Sequence, residues 1–430
     1  MHQMSIHSSS YVQDKDIILY APKDKRRRGE VKSINCNLIR NEKLYVPLSY
    51  GLKKGSTIDK SNHAKIDIQF KGSLRDEQKI PYNLFFNSLM EDHTSFLSAR
   101  TGLGKTILAI KAICDLGLRA MVFIHIKSNI MQWNNEIQEF TNARVCILEK
   151  FRKKTIPEAD IYLGTKTEIK YMNDDMKASF GILICDEARL QCTQLCVHAM
   201  MAITPRYAIA LSADYYREDG MHRAIDLMFG KESILVKDER KMTVWKMYTG
   251  FVPKIYNKKI DWSDIVNQMS ADEERNKYIT KCAIDDVKNG RKIIIECERS
   301  DKIKHIDILY NMLKEELGNK YKISTYYGDM SGYDNCDILI VSIKKGGVGF
   351  DAKSACKDTW DGRHFDVVYL SITGKLIQQK VGRARAPEIT IRHFIDNFSS
   401  CEKHWLVNEK WYSDRGGETT YKEAHAKMLI

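Results

Sequence analysis

The chain has 430 residues, 43% of them hydrophobic, and a formal net charge of +12. That length suits two large domains with room for a small third, and the basic surplus suits a polyanionic partner. Cysteines without paired C-x-x-C spacing point to reduced thiols in an intracellular setting. The opening "MHQMSIHSSSYVQDKD" has no apolar core to act as a secretory signal, and runs such as "GILIC" are too short to span a membrane, so a soluble protein is expected.

Residues 1–70 read as a small β-rich N-terminal accessory domain. "KDKRRRGE" (Lys23–Glu30) is a basic loop, read as a solvated face, and "LYVPLSYGLKKG" (Leu44–Gly55) is a strand ending in a turn. Over 71–237 short apolar runs alternate with helical patterns. The strands are "RAMVFIHI" (Arg119–Ile126), "ADIYLGT" (Ala159–Thr165), "FGILICDE" (Phe180–Glu187) and "YAIALSAD" (Tyr207–Asp214). Between them lie "TILAIKAICDLG" and "NIMQWNNEIQEF". Continuous apolar strands separated by helices predict a parallel sheet covered on both faces. The span 238–270 reads as a linker. A second alternating block, 271–430, contributes "RKIIIECE", "KISTYYG", "DILIVS", "DVVYLS" and "IRHFIDNF". The predicted class is α/β, with two tandem parallel-sheet domains behind the β-rich leader.

Ala99–Thr106, "ARTGLGKT", has the A-x-x-x-x-G-K-T form of a phosphate-binding loop. Thr101, Gly102, Leu103 and Gly104 form the turn whose N–H groups face phosphate oxygens. Lys105 reaches the β/γ phosphates, Thr106 offers a hydroxyl to Mg²⁺, and the following helix adds its N-terminal dipole. Further on, "LICDEARL" places Asp186 and Glu187 after an apolar strand: the first suits Mg²⁺, the second a water that it orients and deprotonates. "QQKVGRARA" (Gln378–Ala386) offers Arg383 and Arg385 for the transferring phosphate, so that hydrolysis would depend on closing one domain over the other.

Taken in order, "LRDEQ", "ARTGLGKT", "DEAR", "LSAD", "VSIKKGGVGFD" and "QKVGRARA" resemble the Q motif and motifs I, II, III, V and VI of superfamily 2 helicases, over about residues 73–400. "RYAIALSADYYREDG" and "IMQWNNEI" are similar to segments of the XPB, UvsW and poxvirus transcript-release branch, whose members include virus- and phage-encoded helicases. The resemblance implies two RecA-like domains, ATP and Mg²⁺ as cofactors, and adenine recognition by Arg75 and Gln78. It implies hydrolysis by Asp186 and Glu187, coupling by Ser212 and Asp214, and strand contacts by Thr165, Ser342 and Gly347. Asp351 would face the ribose, and Gln379, Arg383 and Arg385 would sense the γ-phosphate.

The expected partner is nucleic acid, DNA ahead of RNA, with transcription, replication or repair machinery as protein partners. A monomer without a membrane role is expected, placed in a host cell if viral. The chain departs from the family pattern at Asp214, where motif III ends in threonine, at Arg189, which closes motif II, and in the G-R-x-R spacing of motif VI. Asp214 and Arg189 keep open a nucleic-acid-binding ATP switch with little strand separation; the G-R-x-R spacing keeps an RNA helicase open. Cys192, Cys196 and His198 lie close enough in sequence to begin a metal site but lack a fourth ligand. Trp133 reads as a core or interface anchor.

Overall fold

The computed structural model describes residues 2–5, 18–20, 33–40, 43–58, 60, 62–100, 102–151, 155–213, 217, 219–230, 233–236, 241–255, 261–298, 303–343, 345–346, 350, 352–356, 359–374, 377–414 and 424–425. The chain divides into two compact units, Met1–Val236 and Lys237–Ile430.

The first unit begins with five short strands, β1 (His2–Ser5), β2 (Ile18–Tyr20), β3 (Ser33–Asn35), β4 (Leu38–Arg40) and β5 (Lys43–Val46), followed by helix α1 (Leu48–Lys53). Antiparallel pairing gives a sheet β1-β5-β4 and a ribbon β2-β3. Helix α2 (Asp76–Asp92) then leads into β6 (Thr94–Ala99), α3 (Lys105–Leu116), β7 (Ala120–Phe123), α4 (Ser128–Phe140), β8 (Val145–Ile147), β9 (Ile161–Gly164), α5 (Asp174–Ser179), β10 (Ile182–Cys185), α6 (Gln194–Met200), β11 (Tyr207–Ser212), α7 (Arg223–Phe229) and β12 (Ser233–Val236). The seven strands of this sheet run parallel in the order β12-β6-β11-β10-β7-β9-β8.

Every residue of β6, β7, β9, β10 and β11 is buried, as strands covered on both faces require. Alternate side chains feed two separate cores. Leu97, Val122, Ile184 and Ile209 point to one, with Phe85, Leu108 and Trp133; Phe96, Met121, Cys185 and Ala210 point to the other. The second core also holds Leu19, Ile34, Leu44, Val46, Leu48 and Tyr50 of the leader, so the leader strands and one face of the parallel sheet share a single apolar cluster. Polar contacts add to it: Asn35 exchanges main-chain hydrogen bonds with the Gln194 amide (2.6 and 2.9 Å), and His198 Nε2 lies 2.9 Å from the Asn35 carbonyl oxygen.

The second unit has its own seven-stranded parallel sheet. Its elements are β13 (Lys241–Tyr248), α8 (Trp262–Ala271), α9 (Glu273–Lys288), β14 (Ile293–Cys297), α10 (His305–Leu317), β15 (Ile323–Tyr326), β16 (Ile338–Ser342), α11 (Ala352–Ala355), β17 (Val367–Leu370), α12 (Gln378–Val381), β18 (Glu388–Ile395), α13 (Ser399–Asp414) and β19 (Ala424–His425). Strand order is β15-β16-β14-β17-β18-β13-β19. β13 lies in the span read from sequence as connecting chain, and it pairs with β18 over all eight of its residues. Two parallel sheets flanked by helices are the tandem RecA-like architecture the sequence predicts, with small leader strands added.

Leu48 is fully buried in the core shared by leader and sheet. Leu48→Ala is expected to destabilise the first unit by about 2–5 kcal/mol, read from the urea midpoint; an unchanged midpoint would show that the leader contributes nothing to that core.

Candidate functional site

The phosphate loop joins the end of β6 to the start of α3. Gly102 and Gly104 both sit at positive φ (92° and 90°), a region open to glycine at little cost. Gly104 has a second reason to lack a side chain, because a Cβ there would come 2.4 Å from Gln78 Nε2. Gln78 is buried and its amide ties the loop to the start of α2: Nε2 donates to the Leu103 carbonyl (2.7 Å) and Oε1 accepts from the Arg75 N–H (2.9 Å). The Arg75 guanidinium donates to the Leu103 and Gly102 carbonyls (2.7 and 3.2 Å). The two residues expected at adenine thus brace the phosphate loop from outside. Thr101 lies outside the described residues.

Lys105 opens α3, and its ammonium donates to the Ala99 carbonyl (2.9 Å). Its charge also reaches both carboxylates of "DEAR", favouring the ionised form of each. Asp186 and Glu187 follow β10 directly. Burial pushes both carboxyls up from their ordinary range, and Lys105 pulls them back. Asp186 is held at both oxygens: the Trp133 indole N–H donates to Oδ2 and the Glu187 N–H to Oδ1, each at 3.0 Å. Glu187 takes a left-handed backbone (φ 47°, ψ 50°), unusual for a side-chain-bearing residue and of the kind that collects at functional sites. Gln191 steadies the turn by donating to the Phe123 and Asp186 carbonyls (3.3 Å each).

These residues suit a nucleotide with its magnesium. A glycine turn at a helix N-terminus carries N–H groups and a lysine toward phosphate, and the Thr106 hydroxyl with the Asp186 carboxylate is the hard-oxygen donor set magnesium takes.

Thr165 follows β9 directly and is buried. Its N–H and hydroxyl both donate to Glu168 Oε2 (2.8 and 2.5 Å), and Thr167 donates to Oε1 (2.8 Å). Ser212 is buried at the end of β11, in register with Ser98 of β6; Asp214 lies outside the described residues. Cys192 and Cys196 are buried, and burial pushes the Cys192 thiol up to about 12.

In the second unit Ser342 ends β16 and is buried, with its hydroxyl accepting from the Lys345 N–H (3.3 Å). Gly347, Asp351 and the Gln379 side chain lie outside the description. Arg383 is buried and ion-paired with Glu296 of β14, whose other oxygen is 3.5 Å from Lys380 Nζ. A Cβ on Gly346 would come 2.8 Å from the same guanidinium, so motif VI and the motif V turn pack on each other through Arg383. Arg385 is half-buried.

Sequence reading missed Trp133 as a donor, Glu168 as the anchor of Thr165, and Glu296 as the partner of Arg383. Only Trp133 carried a signal, the "QW" within "IMQWNNEI".

Comparison with known proteins places this geometry in a family. Residues 71–215 match the family model of the type III restriction enzyme res subunit. A proposed helicase of Invertebrate iridescent virus 6 is 28% identical over 425 residues, spanning 90% of this chain and 92% of the relative. Another, of Invertebrate iridescent virus 3, is 33% identical over 238 residues, spanning 52% of this chain and 70% of the relative. Two solved structures share the fold. A fragment of a proposed HsdR subunit of a type I restriction enzyme from Vibrio vulnificus has a TM-score of 0.54 at 16% identity, covering 83% of this chain and 69% of that one. Dbp5 of S. cerevisiae, bound to RNA and ADP BeF3, has 0.53 at 12%, covering 89% and 93%.

The chain belongs to the superfamily 2 helicase-like family, among its viral helicases and restriction-enzyme relatives. It is an ATP-dependent enzyme acting on nucleic acid. No helix among the described residues is long and apolar enough to cross a membrane.

Glu296→Gln would leave Arg383 as an unbalanced buried charge, and breaking such a pair costs about 3–5 kcal/mol. The second unit should unfold at correspondingly lower urea; an unshifted transition would show that Arg383 is balanced by another group.

Proposed function

We propose that this chain is an ATP-driven translocase of DNA, built from the ATP-binding domain at 71–237, the segment 238–270 and the second RecA-like domain at 271–430. The observation that carries the reading is the meeting of Lys105, Asp186 and Glu187 at one end of one sheet, behind a two-glycine turn. Gly102, Leu103, Gly104 and Lys105, with Thr101, hold the phosphates. Thr106 and Asp186 hold magnesium, which when bound neutralises phosphate charge. Glu187 orients the attacking water and takes its proton; its raised pKa, from burial, makes it a better base than a solvated carboxylate. Arg75 and Gln78 set the loop and meet adenine, and Asp351 faces the ribose.

Gln379, Arg383 and Arg385 sense the γ-phosphate. The ion pair of Arg383 with Glu296 fixes the turn that carries both arginines. Thr165, Ser342 and Gly347 grip one strand through its phosphates, which makes binding largely independent of sequence. Ser212 and Asp214 couple the two events. DNA is favoured over RNA by the match to a restriction-enzyme subunit, and the net charge of +12 suits any polyanion.

Lys105→Ala is expected to abolish ATP turnover while leaving nucleic-acid binding intact; unchanged turnover would remove the site assignment. With about six phosphates gripped, log K on duplex DNA should fall against log salt with a slope near about −5. ATPase rates with single-stranded, duplex and branched DNA and with RNA should rank DNA first, and a forked duplex should be separated in an ATP-dependent manner. Stimulation by RNA alone would overturn the DNA reading, and turnover without displacement would identify an ATP switch.

A further inference from the structure

Trp133 has no role in the chemistry assigned so far, and its burial alone would make it a core residue. Its orientation says more. On α4, Ile130, Trp133 and Ile137 form the buried face, at spacings that put them on one side of a helix. From that face the indole N–H reaches 53 residues along the chain to Asp186 Oδ2 at 3.0 Å. The other oxygen, Oδ1, takes the Glu187 main-chain N–H at 3.0 Å. One side-chain donor and one main-chain donor thus fix the plane of the carboxylate.

The type of donor matters. A lysine, arginine or protonated histidine in this place would add positive charge beside a carboxylate that has to receive a cation. Indole donates one hydrogen bond, stays neutral and has no lone pair to offer a metal. It can therefore orient Asp186 without competing for its charge, and its rigid, enclosed ring permits little rotation. Metal-ligating groups held by such a partner commonly lose metal affinity when the partner is removed.

We propose that Trp133 is a positioning residue that presents Asp186 to magnesium, an inference that rests on the assignment of Asp186 as the metal-holding carboxylate. The test follows binding of a fluorescent ATP analogue by the full chain during a magnesium titration, beside the same measurement in EDTA. Trp133→Phe keeps an aromatic ring and removes the N–H. The half-saturating magnesium concentration should rise about tenfold, while affinity in EDTA and the thermal midpoint change little. In the unaltered protein the Trp133 indole ¹H–¹⁵N signal, assigned by its loss in the variant, should move when magnesium joins the bound nucleotide.

If Trp133→Phe does not fold, site-specific replacement by 3-benzothienylalanine, which keeps the bicyclic shape without the N–H, decides the matter by the same titration. Asp186→Asn separates the two claims. A shifted midpoint in Asp186→Asn with none in a folded Trp133 variant overturns the role of Trp133 alone. No shift in Asp186→Asn overturns the metal assignment and this inference with it.

Discussion

The first unit depends on an imbalance of charge at the end of its sheet. Asp186 and Glu187 follow one strand, adjacent in sequence and half-buried, with the Lys105 ammonium acting on both. Burial opposes ionisation of each, and each opposes the other, so an added positive charge is favourable there. Under the proposed assignment a metal-bound polyphosphate would bring its cation to one carboxylate and its anion to the lysine.

That constraint limits what can support the carboxylates. Asp186 is held by an indole and a main-chain N–H, both neutral. The turn behind it is fixed by the amide of Gln191. The phosphate loop is braced by Gln78, another amide, and by Arg75, whose guanidinium is directed at main-chain carbonyls and at Glu77. The second unit reverses the arrangement. There the motif arginine itself is the buried charge, and Glu296 balances it while also facing Lys380. Burial lowers the pKa of Arg383 and Glu296 raises it, so the pair is a structural brace between β14 and the two motif turns.

Much of the fold was legible because both sheets are buried on both faces. Runs such as "ILIC" and "ILIVS" have no polar alternation to confuse with a surface element. β13 was not legible for the complementary reason. "KMTVWKMY" is only partly buried, and its place in the sheet is set by pairing with β18, almost 150 residues later. The leader strands, three or four residues each, fall below the length at which periodicity carries information. Their packing against the first sheet comes from tertiary burial of Leu19, Ile34 and Leu44.

The functional residues divide on the same principle. Gly102, Gly104, Lys105 and Asp186 are readable because chemistry fixes their types and local spacing. Trp133, Glu168 and Glu296 hold Asp186, Thr165 and Arg383 respectively, and many side chains could fill such supporting places. Only the three-dimensional arrangement shows that Trp133 spans 53 residues to a carboxylate. It also changes how motif VI is read. The sequence offers Arg383 and Arg385 alike for a phosphate, and the fold pairs Arg383 with Glu296 and places Arg385 two residues on, half-buried after α12.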